Sequence, residues 1–439
     1  MRMWNYIWHD DDIECNLVEV FTEKTRIIID CGRHSPPSSN KNEACIFEFE
    51  GLMSGKSDVN AVFVTNYHAD HLGYLERINP DIPIYMNKYV KDVLDIFADF
   101  AGSKLPRVDK YLQHGHKEQI GDISVLPIYI DLKKNGKMML LFEGDGERFL
   151  YTEGFKHIDP AYYAMLGDID VIMLECTNFG SKDDLDIKDL EDEAVRIMYE
   201  TNGHVFVLCS PTDDERIKII ERACRRSGRS LVIDPLFKTV QEQITTPLFV
   251  NPVGIMPAGM ELTPRVQKHI TTNYDIDFEN TQYFSDTNAV AKMSNLTFLV
   301  YPSMLDTLRH LNELTPLSES TLINILWKGY EETDSVKKMV DTCRTYGMSI
   351  KNLHASNFSY REQLYNAVLQ LNVIVLAPLN NAGYYRFDYI RENIKTKVIS
   401  IFDGDVALTL ALAEYDKTPE RQKTVTVFYK GKKHEWEFG

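Results

Sequence analysis

Val62-Phe63-Val64-Thr65-Asn66-Tyr67-His68-Ala69-Asp70-His71-Leu72-Gly73 is the stretch around which the rest of the sequence arranges itself. Ala61 to Val64 is an apolar run of strand length and reads as a buried β-strand. Asn66 to His71 then packs two histidines and an aspartate into a tight turn. Neutral imidazole and carboxylate are good ligands for zinc or a similar ion, so such a turn suits a metal. A loop that merely happens to hold His-x-Asp-His is the bland alternative, and the neighbouring sequence weighs against it.

Upstream, residues 5–32 alternate as strands and close on Thr25-Arg26-Ile27-Ile28-Ile29-Asp30-Cys31-Gly32, while 34–43 is loop by composition. Downstream, Leu72 to Asn79 reads as a helix, Pro83 to Met86 as a strand and Lys88 to Ala101 as an amphipathic helix. Gln119–Pro127, Tyr129–Lys134, Met138–Glu143 and Arg148–Phe155 read as extended, with a hairpin turn at Asp145-Gly146. Val171–Gly180 is a buried strand plus a turn. From Gly203 the pattern changes. Strands at 204–211, 230–234, 296–301 and 321–327 alternate with helices at 213–227, 237–245, 305–312 and 335–346, which argues a parallel α/β layer.

A chain of 439 residues can bury a large core and calls for two domains or one elaborated domain. No apolar run approaches the roughly 20 residues of a membrane span, and the N-terminus carries no secretion signal, so no membrane partner is expected. Seven cysteines are scattered without a Cys-x-x-Cys pair, as small buried hydrophobes in a reducing cytoplasm would be. The formal net charge of −17 disfavours nucleic acid, whose binding draws on lysine and arginine against phosphate. The densest basic segment, Arg216 to Arg229, reads as a solvated helix face before it reads as a phosphate track.

The turn resembles the His-x-His-x-Asp-His signature of the metallo-β-lactamase superfamily, with Asn66 in the first histidine's place and His68, Asp70 and His71 matching. Leu150-Tyr151-Thr152-Glu153-Gly154-Phe155 resembles that superfamily's Leu-Tyr-Thr-Gly-Asp-Phe. The 203–347 block resembles the insertion called β-CASP in the ribonuclease J and cleavage-factor nuclease branch. Leu353-His354-Ala355-Ser356-Asn357-Phe358 resembles the branch's His-Thr-Ser-Gly-His motif at His354 and Ser356, and Pro378-Leu379-Asn380-Asn381 stands where the branch carries Pro-Ile-His-Thr. The resemblance implies an α/β fold, an αββα sandwich with an inserted β-CASP-like α/β domain. Its parts would be residues 1–202 (first part of the sandwich), 203–347 (insertion), 348–410 (return segment) and 411–439 (a C-terminal hairpin around Lys430-Gly431).

The resemblance further implies a two-metal site that lowers the pKa of a bridging water. Four of its ligand positions are lost here: Asn66, Leu132, Gly154 (in place of the bridging aspartate) and Asn380. His68, Asp70 and His71 are the remnant ligands, whereas zinc wants about four ligands, or three plus water. The expected cofactor content is therefore none, or one weakly bound metal, zinc.

Asp70 and Glu153 are catalytic only if a one-metal site has been rebuilt. Neighbours on a strand point to opposite faces, so Glu153 would need a shift to replace its neighbour Gly154. His114 and His116 could swing in but read first as a solvent-exposed loop, and His157, Lys133 and Lys134 read as surface residues. Ser356 is the candidate ligand-binding residue, holding an anion, and is equally well explained as a helix cap. The leading expectation is a non-catalytic subunit, regulator or ligand-binding protein, with a protein partner or a second copy of itself. The rival is a divergent metal-dependent phosphodiesterase or nuclease.

Overall fold

The computed structural model describes residues 1–5, 17–32, 49–130, 137–152, 162, 165–167, 169–173, 185–244, 253–255, 287–326, 330–331, 333–356, 373–375, 383–386, 424–429 and 432–437. Two units emerge. The first takes Met1–Lys91, Pro106–Phe179 and Phe358–Gly439; the second takes Asp92–Leu105 and Gly180–Asn357.

In the first unit one sheet runs in order from β1 (Arg2–Asn5) through β2 (Val18–Phe21), β3 (Arg26–Ile29), β4 (Ala61–Val64) and β5 (Ile84–Asn87) to β6 (Lys110–Leu112), with Gly383–Arg386 added at the β1 edge. Pairing is antiparallel as far as β3 and parallel from β3 to β6. A second sheet holds β7 (Glu118–Ile120), β8 (Ile123–Tyr129), β9 (Met138–Gly144), β10 (Glu147–Tyr151) and β11 (Ile169–Met173), then Val373–Val375. It is antiparallel from β7 to β10 and parallel beyond.

The two sheets share one core. Ile27, Ile29, Ala61 and Phe63 of the first meet Val125, Leu140, Phe142 and Phe149 of the second, every other residue along each strand. The intervening Ile28, Val62, Leu141 and Leu150 are buried as well, which is why these strands read as continuous apolar runs rather than alternating ones.

Two turns depend on glycine. Asp145 (φ 52°) and Gly146 (φ 74°) form the β9–β10 hairpin turn with both central residues left-handed, as the Asp-Gly pair led us to expect. Gly121 (φ 56°) lies against Thr25, where an added Cβ would stand 2.0 Å from the hydroxyl oxygen. One sequence expectation fails locally. Leu72–Asn79 is not a helix: Ala69–Leu72 makes one helical turn, Gly73 ends it, and Leu75–Arg77 is a 3-10 turn closed by Ile78 N–H on the Leu75 carbonyl at 3.3 Å.

The second unit contains β12 (Leu185–Asp186), β13 (Val205–Leu208), β14 (Ser230–Ile233), β15 (Val253–Gly254), β16 (Leu296–Val300), β17 (Thr321–Asn324), β18 (Ser349–Asn352) and β19 (Ala355–Ser356). Six of these form a parallel sheet in the order β15-β14-β16-β13-β17-β18, and β12 pairs with β19. Helices cover both faces. Leu190–Glu200 and Asp214–Ser227 pack on Val205, Val207 and Ile233, while Leu305–Leu314 and Asp334–Thr345 pack on Phe206, Phe298 and Leu322. This is the parallel layer that the alternation from Gly203 predicts, and the compact unit around it also takes in the helix Leu190–Glu200, which shares its core. Thr424–Tyr429 and Lys432–Glu437 pair as an antiparallel hairpin, also as read from the sequence. Ile399–Leu410, read as a closing strand pair, lies outside the described residues.

Candidate functional site

The turn after β4 is stitched to the end of β3 by its backbone. Asp30 N–H donates to the Phe63 carbonyl at 2.8 Å, Cys31 N–H to the His71 carbonyl at 2.7 Å, and Tyr74 N–H to the Cys31 carbonyl at 2.9 Å. Asp30 itself has φ 60°, a left-handed conformation that aspartate tolerates better than most residues. Its carboxylate is fully buried and takes Thr65 N–H on Oδ1 at 2.8 Å. Its Oδ2 lies 2.7 Å from Thr65 Oγ1, 2.9 Å from the Tyr151 hydroxyl and 2.8 Å from His71 Nδ1. A buried carboxylate is costly unless it is hydrogen-bonded, and here both oxygens are. A histidine held at one ring nitrogen by a carboxylate is oriented at the other, as metal-binding histidines commonly are.

The remaining sequence candidates fall unevenly. His71 is buried; His68 is half-buried with its ring 4.8 Å from that of Tyr67. Asp70 lies in the helical turn Ala69–Leu72, its side chain outside the described residues. Asn66 is buried, and its Oδ1 accepts the N–H of Tyr67 at 2.7 Å. That oxygen faces the chain's own backbone, as in the turns asparagine commonly makes. Leu132, Glu153, Gly154, His157, Asn380 and the Ser356 side chain lie outside the described residues, as do Lys133 and Lys134. Backbone Ser356 sits in β19, paired with Asp186 of β12. His354 is engaged inside the second unit, with Nε2 3.1 Å from Glu331 Oε1 and Nδ1 3.2 Å from the Leu326 carbonyl.

His114 differs from its expected place in an exposed loop. It is half-buried, its ring 5.7 Å from Tyr129 and 5.1 Å from Tyr162, while His116 is exposed. Its Nδ1 accepts the Tyr129 N–H at 3.0 Å, which puts the ring proton on Nε2 and removes both nitrogens from metal duty in the neutral form. Burial, with His116 nearby, pushes its pKa below the usual imidazole value. The basic helix is likewise engaged. Arg222 and Arg226 pair with Glu191 (2.7 and 2.9 Å), Arg226 also with Asp192, Arg225 with Glu221 and Arg216 with Asp213. Arg229 is buried, and its guanidinium donates to the carbonyls of Met198, Thr201, Gly203 and Leu296.

Residues 25–209 match a family model described as the beta-lactamase superfamily domain. The chain carries a metallo-β-lactamase fold. A crystal structure of a protein of unknown function from Enterococcus faecalis V583 shares it at 16% identity, over 86% of this chain and 93% of its own, with a TM-score of 0.60. Zinc-bound PqqB from Methylobacterium extorquens overlaps 36% of this chain and 58% of its own at 14% identity, with a TM-score of 0.27. No curated protein matches. In this fold the turn after β4 is the metal turn, and two metals are the implied cofactor. Asn66 Oδ1 is turned onto the backbone, and among the described residues no three histidine, cysteine or acidic side chains converge. The Asp30–Thr65–Tyr151 support was not named among the sequence candidates. Its signal was an acid placed directly after the buried run Ile27-Ile28-Ile29.

Proposed function

We propose that this chain is a metallo-β-lactamase-fold protein with an eroded dinuclear site, acting as a non-catalytic subunit, regulator or ligand-binding protein. The observation that carries the reading is Asn66. In place of the first histidine it is a buried amide bonded to the backbone of Tyr67, a turn-former where a ligand would stand. Leucine at 132, glycine at 154 and asparagine at 380 extend the same loss along the sequence. Leucine and glycine offer no side-chain donor to a metal, and a neutral amide is a poor substitute for imidazole. The paired arginines of Asp214–Ser227 support a protein or small-molecule partner over nucleic acid, since a guanidinium already facing a carboxylate neutralises less phosphate.

A second reading has one observation in its favour. His71 is held at Nδ1 by a buried carboxylate, so Nε2 is aimed as a ligand to one metal would be, which suits a divergent phosphodiesterase or nuclease. Elemental mass spectrometry on protein purified without chelator or polyhistidine tag separates the two readings, using wild type and the H68A/D70A double variant. We expect both to be folded and free of stoichiometric metal. About one or more metal ions per chain in the wild type, lost in the double variant, would sink the non-catalytic reading and direct the work to phosphodiester and RNA substrates.

A further inference from the structure

His204 directly precedes β13 in the second unit and is buried, its ring edge-on to two phenylalanines: 5.5 Å from Phe298 at 76° and 6.5 Å from Phe206 at 87°. Its Nδ1 is buried and, among the described residues, has no hydrogen-bond partner. The backbone around it is tied closely. His204 N–H donates to Ser320 Oγ at 3.0 Å, Thr321 N–H to the His204 carbonyl at 3.0 Å, and Gly203 N–H to the Glu319 carbonyl at 2.9 Å. The buried Arg229 guanidinium donates to the carbonyls of Gly203 at 2.9 Å, Met198 at 3.0 Å and Leu296 at 3.3 Å. It thus joins the helix Leu190–Glu200 to the starts of β13 and β16.

We propose that His204 is an acid-sensitive release for this edge of the second unit: protonation of its ring opens the clasp around Arg229 and frees the starts of β13 and β17. A neutral ring suits these surroundings. A proton on Nδ1 would find no acceptor there and would place a second cation beside Arg229. Burial, and Arg229 after it, accordingly push the pKa below the usual histidine value of 6.5. Nothing else packed against the ring offsets this among the described residues. Phe206 and Phe298 are apolar, Ser320 Oγ already accepts the His204 N–H, Glu319 is exposed, and Arg229 is the charged group that acts on the ring. The opened chain takes up its proton near 6.5, so below that pH it holds more protons than the closed form. The closed edge is therefore favoured at pH 7 and loses ground in mild acid, by up to about tenfold in the opening equilibrium per pH unit for one proton.

Metal content plays no part in this release, which stands or falls apart from the proposed function. Amide hydrogen exchange of the full chain, read by peptide mass between about pH 7.5 and 5 and corrected for the intrinsic rate at each pH, tests it. In wild type we expect peptides spanning 203–208 and 319–324 to exchange faster by up to about tenfold per pH unit below 6.5. In H204F and H204Q, which cannot titrate at this position, the same peptides should lose that slope. Peptides from Asp334–Thr345 and from β8 and β9 should lack it in all three proteins. An equal slope in wild type and variants overturns the proposal, and so does a slope spread evenly over the second unit. Exchange of the imidazole C2 proton in wild type gives a reading that needs no variant to fold. A His204 pKa below 6.5 is the expected result, and a value at or above 6.5 overturns the proposal.

Discussion

Asp234, directly after β14, is a described buried acid whose pKa burial raises. Its carboxyl is fully buried, caps the helix Pro235–Ile244 by accepting Phe237 N–H at 2.8 Å, and takes the Tyr301 hydroxyl at 2.5 Å. Burial outweighs these bonds and raises its pKa from 3.8 to about 6. The folded form therefore holds a proton that the unfolded chain has already released between pH 4 and 6, so stability falls as pH rises through that window and is level above it. About two pKa units correspond to roughly 3 kcal/mol. Asp234→Asn keeps an acceptor oxygen for Phe237 N–H, presents an N–H donor to the Tyr301 oxygen in place of the second carboxylate oxygen, and cannot ionise. We expect urea midpoints for the variant to lose this part of the pH dependence and to match or exceed wild type at pH 7. At this scale the sequence was only partly legible. His68, Asp70 and His71 announce themselves by spacing, whereas Asp30 and Tyr151 are 121 positions apart and meet only once the two sheets stack.

Elements were read more closely than residues. The helices Asp214–Ser227 and Asp334–Thr345 lie within a residue of their sequence bounds because each has a side-chain cap: Asp213 on Arg216 N–H and Thr333 on Val336 N–H. Thr333→Ala should destabilise the second unit by about 1 kcal/mol in urea titrations, with Thr333→Ser close to wild type. The ion pairs along Asp214–Ser227 matter less for stability. Exposed pairs contribute little because water and salt screen them, against about 1.5–3 kcal/mol for a fully buried Ile217 or Ile220 on the opposite face. Where reading failed, at Leu72–Asn79, the apolar spacing of Leu72, Leu75 and Ile78 was real, but Leu75 and Ile78 are buried from a 3-10 turn and the residue after it. Spacing reports which residues face inward, and a short turn can supply it without a helix.

Across the whole molecule, the metallo-β-lactamase fold was legible because one short motif and two apolar strands identify it, while the extent of the second unit was less so. By the sequence bounds residues 190–200 fall in the first part of the sandwich, 1–202, and only the burial of the helix Leu190–Glu200 against Ile217, Ile220 and Cys224 ties it to the helix Asp214–Ser227 and the sheet beneath. Among the described residues, the two clusters that pack on its parallel sheet are drawn from residues between 185 and 355. We therefore expect residues 180–357, expressed alone, to fold and melt cooperatively by circular dichroism; a broad, non-cooperative loss of helix would show that the rest of the chain is needed.

Three of the four described cysteines give this unit a chemical clock. Cys209, Cys224 and Cys343 are buried free thiols of the second unit, and burial raises all three pKa values, to about 12 for Cys224 and Cys343. Thiolate is the reactive form, so an alkylating reagent meets almost none of it while the sheet and its helices stay closed. Each adduct then records one opening event. Cys31, buried beside Asp30 in the first unit, records openings of the other. Timed alkylation read by peptide mass would thus date the exposure of the two units separately within a single sample.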